Sequence, residues 1–325
     1  MIAAFYSNIS ATLIKNKNRI IVFLKIIIAV GLLLFLLNRI EPAEIVSAIS
    51  NADHTFILLT LLFGVVNISL QFYKWKVICQ EVLKIRTNRK ILYSLFYGFA
   101  AGIFTPFRLG EYVGRAIPFK DNGLMEITIA TIIDKFFPLI IIFSVGSISS
   151  IVYIYFFYKV NYYVAVSLLL LIVTLLILVF SLFKNEKFWN GFVFIKLSNY
   201  RLFKNFNAKI SIFRNLNSRI AAKILLISFL FYTTFIIQFA FLAIAFSGRF
   251  ELLNFVWIGS LVIFSKTIIP PISLGELGIR EGVTIFFLGS VGISEAAAFN
   301  TSIFLFLINL ALPSLVGLLL LLKKN

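Results

Sequence analysis

Two stretches decide the fold: Pro106-Phe-Arg-Leu-Gly-Glu-Tyr-Val-Gly-Arg115 and Pro271-Ile-Ser-Leu-Gly-Glu-Leu-Gly-Ile-Arg280. Both read P-x-x-L-G-E-x-x-x-R, with five identities in ten positions and no gap. In each, Pro ends an arriving helix, Gly permits a tight turn and close backbone approach, and Glu and Arg four residues apart share one face of the departing helix. A helix terminus built this way presents unpaired N–H groups and suits an anion.

The surroundings of the two copies are apolar. The chain has 325 residues, of which 61% are apolar and 13% charged, with a mean hydropathy of +1.01. A soluble domain is roughly 45–50% apolar and about 25% charged, so a soluble fold is excluded. Apolar runs at 20–37, 55–73, 126–146, 162–183, 223–247, 251–269 and 295–322 each approach or exceed one bilayer crossing, which takes about 20 residues. The sequence therefore predicts an all-α polytopic membrane protein. The run 20–37 follows Lys15, Lys17 and Arg19 without a small-residue cleavage site and is read as a retained first span. One Cys and one His exclude a disulfide framework and a multi-His or Cys-cluster metal site. No nucleotide-binding loop is present, and no cofactor is expected.

The formal charge of +17 is divided unevenly. Bases concentrate in 74–90 and 184–223, beside the N-terminal segment and Lys323-Lys324. By the positive-inside rule these segments and both termini face the cytosol of a cell membrane, while 38–54, 147–161 and 248–250 face outside. The net charge is then a topology signal and calls for no nucleic-acid partner. Seven bases and six acids remain inside or beside the membrane.

This sidedness fixes the role of the two motifs. Residues 91–122 leave and return on the cytosolic side, and 251–292 leave and return on the other. About six full transmembrane helices and two re-entrant broken-helix hairpins result. Three full spans, an odd number, separate the motif copies, so the repeats are inverted. Repeat one lies within 1–183, a basic amphipathic linker occupies 184–222, and repeat two occupies 223–325, all in one membrane domain. The linker is expected to lie on anionic inner-leaflet lipids, its bases alternating with Phe206, Ile210, Phe213 and Ile220.

Broken backbone at membrane depth belongs where it is buried or lines a wet cavity. Arg108, Arg115 and Arg280 supply permanently charged donors that fit phosphate, and Glu111, Glu276 and Glu281 can balance them. Two readings stay open: the Glu and Arg residues clasp the broken helices together, or some of them line a substrate path. Asp134 and Lys135, inside an apolar run, either face the hairpins or serve as a cap and a snorkelling base. Lys266 is similarly ambiguous. Asn67, Gln71, Gln238 and Asn309 are expected to hydrogen-bond between helices.

The paired motif, with Thr105 before the first copy and Glu281-Gly282 after the second, resembles the signature of the lysylphosphatidylglycerol synthase transmembrane-region family. That family includes the flippase half of bifunctional MprF-type proteins and stand-alone flippase-like members. The resemblance implies translocation of an anionic-headgroup lipid, or a lipid-linked derivative, between leaflets through a cavity between the hairpins. By position it adds Thr105, Pro106, Gly110, Pro271, Gly275, Gly278 and Gly282 to the turn residues that carry this role. The chain ends at Asn325 with no soluble aminoacyl-transfer domain, so lysyl transfer is not expected. A transferase acting on a lipid-linked substrate, with Glu111 or Glu276 as base, is the alternative. An accessory subunit for a separate lipid-modifying synthase is a third reading.

Overall fold

The computed structural model describes residues 42–103, 105, 108–119, 123–184, 217–269 and 278–323. The expected first span, most of the basic linker and the turn of the second motif lie outside the described residues. Every described element is a helix: α1 (Pro42–Ser50), α2 (His54–Val82), α3 (Asn88–Ile103), α4 (Gly110–Ala116), α5 (Leu124–Tyr158), α6 (Tyr162–Lys184), α7 (Ser218–Ser247), α8 (Leu252–Ile268), α9 (Ile279–Ser290) and α10 (Glu295–Leu322). Of these, α2, α5, α7 and α10 are long and apolar enough to cross a membrane, and α8 and part of α6 are shorter apolar helices. The chain is an all-α polytopic membrane protein.

Helix ends follow local chemistry. The Asp53 side chain accepts from Thr55 N–H to start α2, Asn217 accepts from Ile220 N–H to start α7, and Ser294 accepts from Ala297 N–H to start α10. Gly248, at φ 67°, ends α7.

Two sequence expectations change. The connection drawn at 147–161 shrinks to 159–161, because α5 continues to Tyr158 and stops at Lys159 in the left-handed region. Nothing between 146 and 158 breaks a helix, and Ser150 satisfies its hydroxyl on the Gly146 carbonyl one turn back, at 2.8 Å. The base at 74 is also not a loop residue. The α2 helix runs past it to Val82 through a terminal π-turn, and Lys74 is buried inside the bundle.

The packing repeats itself. The first helix of the first hairpin, α3, lies against the C-terminal half of α10, and α8, the first helix of the second hairpin, lies against α5. Each long closing helix thus supports the other half's hairpin. A glycine makes each approach possible: an added Cβ on Gly317 would strike the Phe96 carbonyl, and one on Gly146 would strike the Phe264 ring. Gly146 and Gly317 each lie 22 positions beyond the first residue of their helix, Leu124 and Glu295. The opening helices α2 and α7 pack along each other at the centre, where Gly64 faces Ile308 and Gln238. Small residues at such crossings let helices approach without a hydrophobic driving force.

Candidate cationic cavity between the two halves

The first motif folds into a close antiparallel hairpin. Cβ atoms added to Gly110 and Gly114 would collide with the Ala101 and Tyr97 carbonyls, so only glycine lets α4 lie this near α3. Thr105 fastens the turn: its Oγ1 accepts from Gly110 N–H at 2.7 Å and reaches the Ala101 and Gly102 carbonyls at 3.3 and 3.2 Å. Arg108 sits in this turn at φ 54°. A non-glycine residue there costs about 1–3 kcal/mol, and the strained turn holds the guanidinium at the mouth of the hairpin.

Below the turn, α4 enters a buried charge cluster. Glu111 is 1% exposed and meets Arg115 at 2.6 Å, Lys135 at 2.8 Å and Arg108 at 3.3 Å. Arg115 continues to Asp134 at 2.9 Å, and Asp134 also meets Lys74 at 3.1 Å. Lys74 Nζ donates to the Asp134 main-chain carbonyl as well, at 2.8 Å. The Arg115 guanidinium lies 4.4 Å from the Trp75 ring centroid. Trp75 Nε1 donates to Ser94 Oγ, which donates to the Arg115 carbonyl. Four cations face two carboxylates, so the cluster keeps two positive charges in excess.

Asp134 and Lys135 both turn toward the first hairpin. The two adjacent side chains reach the first hairpin, Asp134 through Arg115 and Lys135 through Glu111. Glu111 pairs with Arg115, and Asp134 joins Arg115 to Lys74, as buried ions of this kind require.

In the second copy the described residues are those that follow the turn. Arg280, 6% exposed, pairs with Glu281 and stacks 4.4 Å from Phe306. Its Nε lies 3.0 Å from both Glu281 Oε1 and Ser302 Oγ. Glu281 Oε2 accepts from Gly278 N–H at 2.6 Å, which closes the first turn of α9 around a glycine at φ 84°. Gly275 and Glu276 lie outside the described residues.

Arg108 from the first half and Arg280 from the second line one cavity of about 100 Å³, together with Lys266, Gln71, Asn309 and the rings of Phe99, Phe231, Phe235 and Phe306. This volume holds several waters or a phosphate-sized group. Arg108 Nε and Nη2 are buried there without a hydrogen-bond partner, although Nη2 stays within ion-pair range of Glu111. The cavity also borders the π-turn Leu307–Ala311 of α10, a break of the kind that accompanies functional sites. Of the candidate residues, Arg108 and Arg280 thus meet in the cavity, Thr105 and Gly110 shape the first turn, and Glu111, Arg115, Asp134 and Lys135 form the charge cluster behind it. Glu281 holds Arg280.

Sequence reasoning assigned Lys74 to a cytosolic segment and gave no role to Phe306 and Ser302. A lysine in the last turns of a long apolar helix, followed by Trp75, is the signal that Lys74 offered. Nothing in the motif pointed to Phe306.

Glu111 pairs with three cations, Arg108, Arg115 and Lys135. Among the described residues no cluster of three or more His, Cys, Asp or Glu could hold a metal.

No curated protein matches this chain. The family model described as lysylphosphatidylglycerol synthase TM region matches residues 22–317, which takes in both motifs, both hairpins and every cavity residue, so the chain belongs to that membrane-embedded, lipid-handling family.

Proposed function

We propose that the protein is a lipid translocase that moves an anionic phospholipid, or a lipid-linked anionic headgroup, between leaflets. The observation that carries this reading is the convergence of Arg108 and Arg280, one from each motif copy, on a single cavity walled by phenylalanine rings. The excess positive charge of the adjoining cluster lowers the cost of bringing a phosphate to membrane depth. In this reading Arg108 and Arg280 hold the headgroup, Glu111 steadies Arg108 between transport events, and the acyl chains stay in the bilayer.

Movement follows from the reciprocal packing. Each hairpin leans on the closing helix of the other half, so rocking one half against the other would change which side the cavity opens to. The basic segments face the cytosol of the cell membrane in this account, and the linker at 184–223 rests on anionic inner-leaflet lipids. The test is transbilayer movement of native lipid classes in vesicles containing the purified chain. Movement that depends on the protein and falls with Arg108→Ala or Arg280→Ala supports the reading. A covalently altered lipid found by mass spectrometry in expressing membranes would instead favour a transferase.

A further inference from the structure

Each closing helix carries a proline between a grip on its own half and a grip on the other. In α5, Asp134 meets Arg115 at 2.9 Å and Lys135 meets Glu111 at 2.8 Å, which ties this segment to the first hairpin. About three turns further on, Gly146 abuts the Phe264 ring, Ser149 Oγ lies 2.7 Å from Ser260 Oγ, and the Ser149 carbonyl accepts from Trp257 Nε1 at 3.3 Å. These contacts tie α5 to α8, and Pro138 stands between the two sets. In α10, Ser302 and Phe306 hold Arg280 of the same half. Beyond them, Ser314 Oγ donates to the Phe99 carbonyl at 3.0 Å and Gly317 abuts the Phe96 carbonyl, both on α3. Pro313 stands between. Pro138 lies eight residues before Gly146 and Pro313 four before Gly317, so the prolines are about one turn apart in the frame of the repeat.

A proline inside a helix has no N–H for the carbonyl four residues back, and the helix is weakest there. For Pro138 that carbonyl belongs to Asp134, and Lys74 Nζ of α2 donates to it at 2.8 Å. A neighbouring helix thus satisfies the freed group, as apolar surroundings require. A helical N–H is fixed by the geometry of its own turn. An ammonium on a flexible four-carbon stem can follow the carbonyl as the helix bends. In α10 the helix widens instead into the π-turn Leu307–Ala311 just before Pro313, and Leu312 N–H reaches back five residues to the Leu307 carbonyl.

We infer, resting on the translocase reading, that the two closing helices hinge at Pro138 and Pro313 as the halves rock. The segment of α5 beyond Pro138 then travels with α8, and the segment of α10 beyond Pro313 travels with α3. Lys74 keeps the Asp134 carbonyl bonded throughout. Bending is confined to two points where the main-chain ladder is already open, so the motion breaks no further helical hydrogen bond.

The experiment sets lipid movement against lipid binding in the full chain. Movement is the rate at which labelled phosphatidylglycerol in sealed vesicles reaches an impermeant quencher, and binding is the affinity for the same lipid in micelles. Pro138→Ala returns the N–H to the Asp134 carbonyl, and none of the described residues that line the cavity belongs to α5. Movement should slow about tenfold, the effect of one restored main-chain hydrogen bond that bending must break, while binding stays the same. Pro313→Ala should slow movement likewise. A proline with a merely structural role would alter stability and leave movement by the folded variant unchanged. A second variant, Ser149→Cys with Ser260→Cys in a Cys79→Ala background, joins α5 to α8 by a disulfide inside one moving body, so oxidation should leave the rate unchanged. Unaltered movement in folded Pro138→Ala, or a rate that collapses on oxidising the cysteine pair, would overturn the hinges and leave the translocase reading standing. No movement by the unmutated chain would bring down both. The oxidation arm compares one protein in two redox states and decides the matter even where Pro138→Ala does not fold.

Discussion

Asp134→Asn is the substitution whose cost the charge cluster specifies best. Asp134 is 3% exposed and lies 3.1 Å from Lys74 Nζ and 2.9 Å from Arg115 Nη1. Removing its charge raises the excess of the cluster from two to three. Arg115 keeps Glu111, but Lys74, itself 4% exposed, is left with the main-chain carbonyl of residue 134 and the Phe231 ring and with no described counterion. Breaking a buried pair from one side costs about 3–5 kcal/mol, whereas removing both partners is often close to neutral. Asp134→Asn should therefore destabilise the protein by about 3–5 kcal/mol, and adding Lys74→Met should recover about 2 kcal/mol of it, a coupling within the usual range for contacting residues. Denaturant unfolding of the purified chain in micelles, followed by tryptophan fluorescence, measures both. An Asp134→Asn cost below about 1 kcal/mol, or a double variant in which the two costs simply add, would refute the assignment of Lys74 and Asp134 as a compensating pair.

Other consequences are as specific. Gly114→Ala drives a Cβ into the Tyr97 carbonyl and should cost about 1–3 kcal/mol, whereas Gly289→Ala on α9, with no described neighbour in reach, should stabilise by about 0.5–1 kcal/mol; the same unfolding assay compares them. Gly146→Leu and Gly317→Leu should loosen the same pseudo-equivalent contact in the two halves, and comparable losses in thermal stability check the reciprocity. Outside the spans, Arg249 reaches the Val291 and Gly292 carbonyls and pairs with Glu251, which also accepts from Asn254. Asn254 and then Arg249 hold the Glu251 carboxyl below its usual range. A lowered carboxyl stabilises fully above the ordinary Glu value of about 4.3 and loses its contribution as pH falls below that through the lowered value. The stability gap between the unmutated chain and Glu251→Gln should be present at neutral pH and close on acidification; a gap that widens contradicts the assignment.

The hairpin architecture was legible because it is local. A Pro, a Gly and an i,i+4 Glu–Arg pair are enough to write a helix, a turn and a returning helix, and Glu111 with Arg115 meets that pattern at 2.6 Å. The long spans were legible because about 20 apolar residues admit few alternatives. The interhelical role of Gln238 and Asn309 was legible for the same reason, since amides inside apolar helices need each other. What stayed hidden depends on three-dimensional facing. Lys74 counts as a cytosolic base in any tally of charge along the chain, and only the direction of its side chain places it beside Asp134. Arg280 takes its neighbour Glu281 as counterion because Ser302 and Phe306, from α10, fix its guanidinium. Among the described residues, Arg115 pairs with Glu111 and Asp134, and Arg280 pairs with Glu281. The reciprocal support of each hairpin by the opposite half likewise rests on Gly146 and Gly317, which no local pattern marks.

The central claim is that anionic headgroups cross the membrane through the cavity shared by the two halves. The most direct measurement is the initial rate at which a fluorescently labelled anionic lipid in sealed vesicles becomes accessible to an impermeant quencher, with the purified chain as the sole protein. The account predicts a rate well above that of protein-free vesicles, falling toward the protein-free value for Arg108→Ala and for Arg280→Ala while each variant remains folded. A rate no faster than in protein-free vesicles for any native lipid class, or one that neither arginine substitution changes, would contradict it.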